Sequence, residues 1–140
     1  MDLVRSLLFL PASNARAVEK ARTLDADVVV LDLEDAVATE AKAEARQAAV
    51  DAVRAGGFRK TVAIRVNALG TDWGEDDLAA LTDLPLDFVV APKVEDPSIV
   101  DAYGARMPQG ARLIAMIETP QALMTLPSIA GAGELSLIHI

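Results

Sequence analysis

The sequence predicts an α/β fold built on a parallel sheet, and three observations carry that prediction. Short apolar runs alternate with segments of helical period five times, and a sixth strand-like run follows. The intervening segments are long enough for the helical crossovers that parallel neighbours require. Nearly every run is apolar at successive positions, as expected of strands covered on both faces. An open doubly wound sheet and a β/α barrel both satisfy this pattern, and periodicity does not separate them.

Residues 4–10 are the first predicted strand, stopped by Pro11. The apolar stretch 7–12 behind Arg5 is at the lower length limit for a signal peptide, Asp2 precedes it and a helical pattern follows at once, so it reads as a core strand. Ser13 or Asn14 caps a helix over residues 15–24. Val18, Ala21 and Leu24 take its buried side, and Arg16 and Lys20, four apart, share a face. Residues 27–32 are the second strand. Residues 38–55 give the longest helical pattern. Ala41, Ala45, Ala48, Ala49, Ala52 and Val53 repeat there as small side chains that let a helix sit close on a sheet. Gly56-Gly57 ends it.

Residues 61–67 are the third strand. After a loop with Gly70 and Gly74 comes a short helix through Leu78 and Leu81, then a fourth strand, 88–91, running into Pro92 and Lys93. Asp96-Pro97 and Thr119-Pro120 each pair a cap with proline at the first helical position. They open helices reaching about Ala105 and Ile129. Residues 112–117 are the fifth strand, ending in Glu118, and residues 135–140 the sixth. A complete β/α barrel takes about 250 residues, so on the barrel reading this chain supplies the first five or six strands. Nothing in the pattern ties residues 137–140 to what precedes them, and they read as sequence foreign to the natural protein.

Bulk properties narrow the function classes. Hydrophobic residues make up 52% of the chain, ample for one core. With 21 acidic and 13 basic residues the net charge is -8, which argues against nucleic acid as the main partner. Without cysteine, thiolate chemistry and disulfides are excluded. No apolar run approaches membrane-spanning length. The glycines form neither a dinucleotide fingerprint nor a P-loop. The single histidine, His139, supports neither a histidine metal cluster nor a Ser-His-acid triad, and is set aside.

The informative stretch runs from Val28 to Val37: a buried strand whose exit carries Asp32, Glu34 and Asp35. Such charges must reach water, a cation or a basic partner. In a parallel sheet the same end receives Arg65 and Asn67 from strand three, Lys93 from strand four and Glu118 from strand five. Carboxylates from separate strands suit a hard divalent cation, and arginine grips a carboxylate with two hydrogen bonds. The pattern therefore fits a site for a metal-chelated small carboxylic acid. Structural alternatives stand beside this: Asp32 as a turn anchor, Glu34 and Asp35 as partners of Lys42 or Arg46, Asn67 as a turn former, Lys93 as a surface or lid lysine, and Glu118 facing solvent or a helix N-terminus.

The segments Arg5 to Ala12, Asp32 to Val37 with Lys42 and Ala45-Arg46, Ile64 to Asn67, Ala91 to Lys93 and Ile117 to Thr119 resemble, in order and spacing, the citrate lyase beta-subunit and malyl-coenzyme A lyase family of carbon–carbon lyases, within the HpcH/HpaI aldolase/citrate lyase superfamily. The resemblance implies a TIM (β/α)8 barrel of which residues 1–140 are the N-terminal part of a single domain, a Mg2+ cofactor, a homo-oligomer when full length and a cytoplasmic setting. Implied substrates are citryl, malyl or citramalyl thioesters, cleaved by retro-aldol or Claisen-type chemistry.

By the same resemblance Arg65 binds the keto-acid carboxylate, Glu118 is a metal ligand, and Glu34 and Asp35 lie beside the metal and its waters. Arg16 and Lys20 match a basic region for coenzyme A. The family's second metal carboxylate belongs to a Gly-x-x-Asp context beyond strand five, where this chain carries Glu134 to Ile140 instead. The catalytic base is left open between Glu34, Asp35 and groups outside these residues. Two rival expectations are a pyruvate-class aldolase acting on free acids and a non-catalytic acid-binding or regulatory homologue.

Overall fold

The computed structural model describes residues 4–133 and 135–140. Six strands alternate with five helices: β1 (Leu7–Pro11), α1 (Ala15–Ala21), β2 (Val28–Asp32), α2 (Lys42–Ala55), β3 (Thr61–Arg65), α3 (Gly74–Leu81), β4 (Phe88–Ala91), α4 (Pro97–Gly104), β5 (Arg112–Met116), α5 (Pro120–Ala130) and β6 (Leu135–His139). A 3-10 turn, Thr39–Ala41, leads into α2. All strand pairs are parallel, in the order β1-β2-β3-β4-β5-β6.

That order resolves what periodicity leaves open. A doubly wound sheet reverses direction at a switch point and carries helices on both faces. Here each strand lies beside its successor, every crossover runs the same way, and the helices gather on one side. On that side Val29, Leu31, Val62, Ile64, Val89, Ala91, Leu113 and Ala115 pack with Val18, Ala45, Ala49, Leu78, Val100 and Ala122 from the helices. The alternate residues Val28, Val30, Ala63, Phe88, Val90, Ile114 and Met116 form a second cluster with Leu7, Phe9 and Leu137, joined by no helical residue. This is the inner face of a β/α barrel wall. Asp32 and Arg65 continue the inward alternation of β2 and β3 at its C-terminal end.

The caps follow the sequence. Asn14 accepts from the Ala17 N–H, Asp96 from Ser98 and Thr119 from Ala122. Gly56 ends α2 at φ 64°, a conformation costly for a side chain. Gly74 opens α3 where a Cβ would lie 2.4 Å from the Ala68 carbonyl oxygen, so the close approach of α3 to its loop demands glycine.

Boundaries shift where side chains claim the backbone. β1 starts at Leu7 because Arg5 and Ser6 are held by Asp27: its carboxylate accepts from the Arg5 N–H at 3.0 Å and from Ser6 Oγ at 3.3 Å, with Lys60 Nζ at 3.2 Å. These charges hold the Asp27 carboxyl well below the usual range, and they staple the N-terminal end of the sheet, away from the site. β3 ends at Arg65 rather than Asn67, since the Asn67 N–H donates to Asp77 at 2.9 Å. Residues 137–139, within the 137–140 stretch that looked unconnected in sequence, pair in parallel with β5 as part of the predicted sixth strand.

Candidate active site

The site is built from the strand ends upward. Asp32 and Arg65 are register partners across β2 and β3. Arg65 Nε donates to Asp32 Oδ1 at 2.8 Å and Nη2 to Oδ2 at 2.6 Å. Asp32 also accepts from the N–H groups of Glu34 (2.8 Å) and Ala36 (3.1 Å), which fixes the turn after β2. Burial pushes the Asp32 carboxyl up, but the Arg65 hydrogen bonds and charge, with those two N–H groups, outweigh it and hold it below the ordinary carboxylate range. Arg65 Cζ stands 5.3 Å from the centre of the Phe9 ring, and Nη1 contacts Met116 Sδ at 3.7 Å.

The turn then sends two more acids over the sheet. Glu34 Oε2 lies 3.1 Å from Arg65 Nη1 and Asp35 Oδ2 4.0 Å from the same atom. Lys93 Nζ donates to Glu34 Oε1 and sits 3.4 Å from Asp35 Oδ1. Lys93 has φ 48°, the sole non-glycine residue with positive φ among those described. That conformation turns its backbone N–H onto Glu118 Oε1, 2.9 Å away, while the side chain reaches the β2 acids. Hydrogen bonding to Glu34 raises the Lys93 pKa, so it stays charged. One residue of the β4 exit thus links the acids of β2 and β5.

A supporting layer lies beneath. Lys42 Nζ donates to the carbonyls of Leu33 and Glu34, each at 2.9 Å, and stands over Trp73 at 5.3 Å. Asn67 Nδ2 donates to Leu33 O at 3.0 Å and Asp77 Oδ2 at 2.7 Å, and Arg46 Nε binds Asp77 Oδ1 at 2.7 Å. Lys42 and Arg46 therefore do not pair with the side chains of Glu34 and Asp35, correcting the structural alternative read from sequence. Their carboxylates face Arg65 and Lys93 instead, because the turn anchored by Asp32 points them inward.

A cavity of about 460 Å³ opens beside this cluster, walled by Phe9, Pro11, Asp32, Asp35, Arg65, Met116 and His139. His139, set aside in the sequence, lies with its ring centroid 5.7 Å from that of Phe9. Asp77 was not singled out, since the run Glu75-Asp76-Asp77 looks like ordinary first-turn acid; Asp77 alone turns inward, fully buried. Arg16 and Lys20 are exposed on α1, outside the linked group.

Three carboxylates, Asp32, Glu34 and Asp35, meet two cations, Arg65 and Lys93, and a fourth, Glu118, accepts from the Lys93 backbone N–H. Glu34 is 6% exposed, yet its Oε2 accepts no aligned hydrogen bond. Among the described residues no three acidic or histidine side chains converge as a complete metal cage. A hard cation that keeps most of its waters needs only one or two carboxylates. The exposed Asp35 carboxylate and the second Glu118 oxygen are available to such an ion or its waters, while the two Glu34 oxygens face Lys93 and Arg65.

Comparison with known proteins places the sequence and the fold in one family. Residues 5–140 match the HpcH/HpaI aldolase/citrate lyase family. The chain is 37% identical over 133 residues to a (3S)-malyl-CoA thioesterase of Cereibacter sphaeroides, covering 94% of this chain and 46% of that protein. It is 34% identical over 141 residues to the citrate lyase subunit beta of Escherichia coli, covering 93% and 47%. The chain thus spans about half the length of these curated relatives. Among solved structures, the citrate lyase beta subunit of M. tuberculosis complexed with oxaloacetate and magnesium superposes with a TM-score of 0.81 at 32% identity, covering 99% of this chain and 59% of that one. On the family match and these relatives together, the chain belongs to the HpcH/HpaI aldolase/citrate lyase family.

Proposed function

We propose that the protein is a Mg2+-dependent carbon–carbon lyase acting on a malyl, citramalyl or citryl type of thioester. The observation that carries this is the joining of Arg65, the Glu34-Asp35 pair and Glu118 through Lys93 at the C-terminal rim of one parallel sheet, beside a cavity. The donor set fits Mg2+: all oxygen, with excess negative charge and a buried Glu34 oxygen that is ion-paired with Arg65 at 3.1 Å but accepts no aligned hydrogen bond. Glu118 would hold the ion, with Glu34 and Asp35 beside it and its waters. When bound, Mg2+ supplies a Lewis acid that polarises the oxygen of the hydroxy or keto acid.

Arg65 spends two of its N–H groups on Asp32, and a guanidinium has five. The second Nη2 N–H, and Nη1 once it leaves Glu34 Oε2 and Met116 Sδ, would grip the substrate carboxylate, and the Asp32 fork fixes their direction. This would orient the bond to be broken. Cleavage requires removal of the hydroxyl proton and leaves an enolate on the acyl thioester fragment. Glu34 or Asp35 is in the right cluster to take or relay that proton. Arg16 and Lys20 would meet the phosphates of coenzyme A. A cytoplasmic homo-oligomer, with residues 1–140 as the N-terminal part of one barrel domain, completes this reading; among the described residues no helix is long and apolar enough to cross a membrane.

The thioesterase relative favours a second reading, in which water attacks the thioester carbonyl and the carbon skeleton stays whole. Product analysis separates them: incubation of a malyl thioester with the full-length protein and Mg2+ should release an α-keto acid and a shorter acyl thioester, whereas residues 1–140 alone should show little turnover. Free coenzyme A with intact malate would favour the hydrolase, and no turnover by the full-length protein would favour a binding homologue.

A further inference from the structure

We propose that Lys93 is a tethered counter-cation that occupies the carboxylate cluster in the metal-free protein and competes with the divalent ion for it. The inference rests on the Mg2+ reading above and concerns a residue to which that reading gives no role in metal binding. Three observations carry it. Nζ donates to Glu34 Oε1 and approaches Asp35, so its charge lies among the acids beside which the ion is placed. The backbone of the same residue holds Glu118 Oε1, leaving the other Glu118 oxygen outside that bond. Glu34, more than nine-tenths buried, keeps Oε2 without an aligned donor even with Lys93 and Arg65 in place. One ammonium thus satisfies only part of the cluster.

The positive φ makes the placement specific. A lysine pays conformational energy to adopt φ 48°, where glycine would pay little. The ammonium is tied to an exposed, flexible stem, so it can swing away when a divalent ion arrives, whereas Arg65 is held by its fork to Asp32. Lys93 is therefore a positioning residue: it keeps the acids together before the ion binds and weakens the ion's binding by the charge it places there.

The test is calorimetric titration of Mg2+ into the protein and its variants, with no substrate present. Lys93→Gly removes the ammonium and relaxes the backbone; Lys93→Gln removes the charge at similar chain length; Lys93→Arg retains it. The expected result is Mg2+ affinity raised about tenfold in Lys93→Gly and Lys93→Gln, near the parent value in Lys93→Arg, with a larger Mg2+-induced rise in unfolding temperature for the first two. Parent binding with unchanged or weaker affinity in both uncharged variants overturns the role of Lys93 and leaves the metal reading standing. Absence of Mg2+ binding in the parent and in every variant overturns both.

Discussion

Arg65 donates to both oxygens of Asp32, at 2.8 and 2.6 Å, from the register position directly across β2 and β3. The pair is nearly dry: Asp32 is 1% and Arg65 7% exposed. A buried fork of this kind fixes direction more than it adds stability, since desolvation offsets much of the attraction. Removing one partner is another matter. Asp32→Asn leaves a buried guanidinium facing an amide and should cost about 3–5 kcal/mol in urea unfolding. Loss below about 1 kcal/mol would show that water already reaches the pair.

The same pair sets an acid limit. The Asp32 carboxyl is held below its ordinary value, so the folded state binds its proton less readily than the unfolded chain. Its stabilisation is present above the ordinary carboxylate pKa and is lost as pH falls through the lowered one. Unfolding free energy measured from pH 6 down to pH 2 should fall, with a shallower acid slope in Asp32→Asn.

Tyr103 sets the alkaline counterpart. Its hydroxyl is buried under the site, accepts from the Leu69 N–H at 3.2 Å and donates to Asn67 O at 3.4 Å. Burial pushes it up to about 12. Stability from the protonated phenol is complete below the free tyrosine value and is lost as pH rises through the raised one. Tyr103→Phe should cost about 1–2 kcal/mol at neutral pH and flatten the alkaline part of the profile, read by thermal unfolding between pH 9 and 12.

Much of the fold was legible because its signals are local. Helix caps at Asn14, Asp96 and Thr119 and the Gly56 stop depend on neighbours in sequence. The exits of β2, β3, β4 and β5 could be read as one group because parallel strands expose the same end. Barrel against open sheet was not legible, because it depends on which strand neighbours which, and apolar runs carry no address. Asp77 and Lys42 were obscured for a related reason: their partners, Asn67 and the Leu33 and Glu34 carbonyls, come from other elements. His139 was set aside as a lone histidine, yet parallel pairing with β5 brings it to the cavity wall.

The exposed basic pair on α1 separates recognition of the carrier from recognition of the acid. Arg16→Ala combined with Lys20→Ala should raise KM for a coenzyme A thioester several-fold, with a weaker salt dependence, and leave affinity for a free α-keto acid unchanged. Equal loss for both ligands would place these residues in the fold's stability rather than in binding.

The most direct measurement of the central claim is calorimetric binding of an α-keto acid such as oxaloacetate to the protein, with and without Mg2+, in the parent, Arg65→Lys and Glu118→Gln. The account predicts binding that requires Mg2+, weakened about tenfold or more by Arg65→Lys because the fork is lost, and abolished by Glu118→Gln. Equal keto-acid binding with and without the ion, unaffected by either substitution, would contradict it.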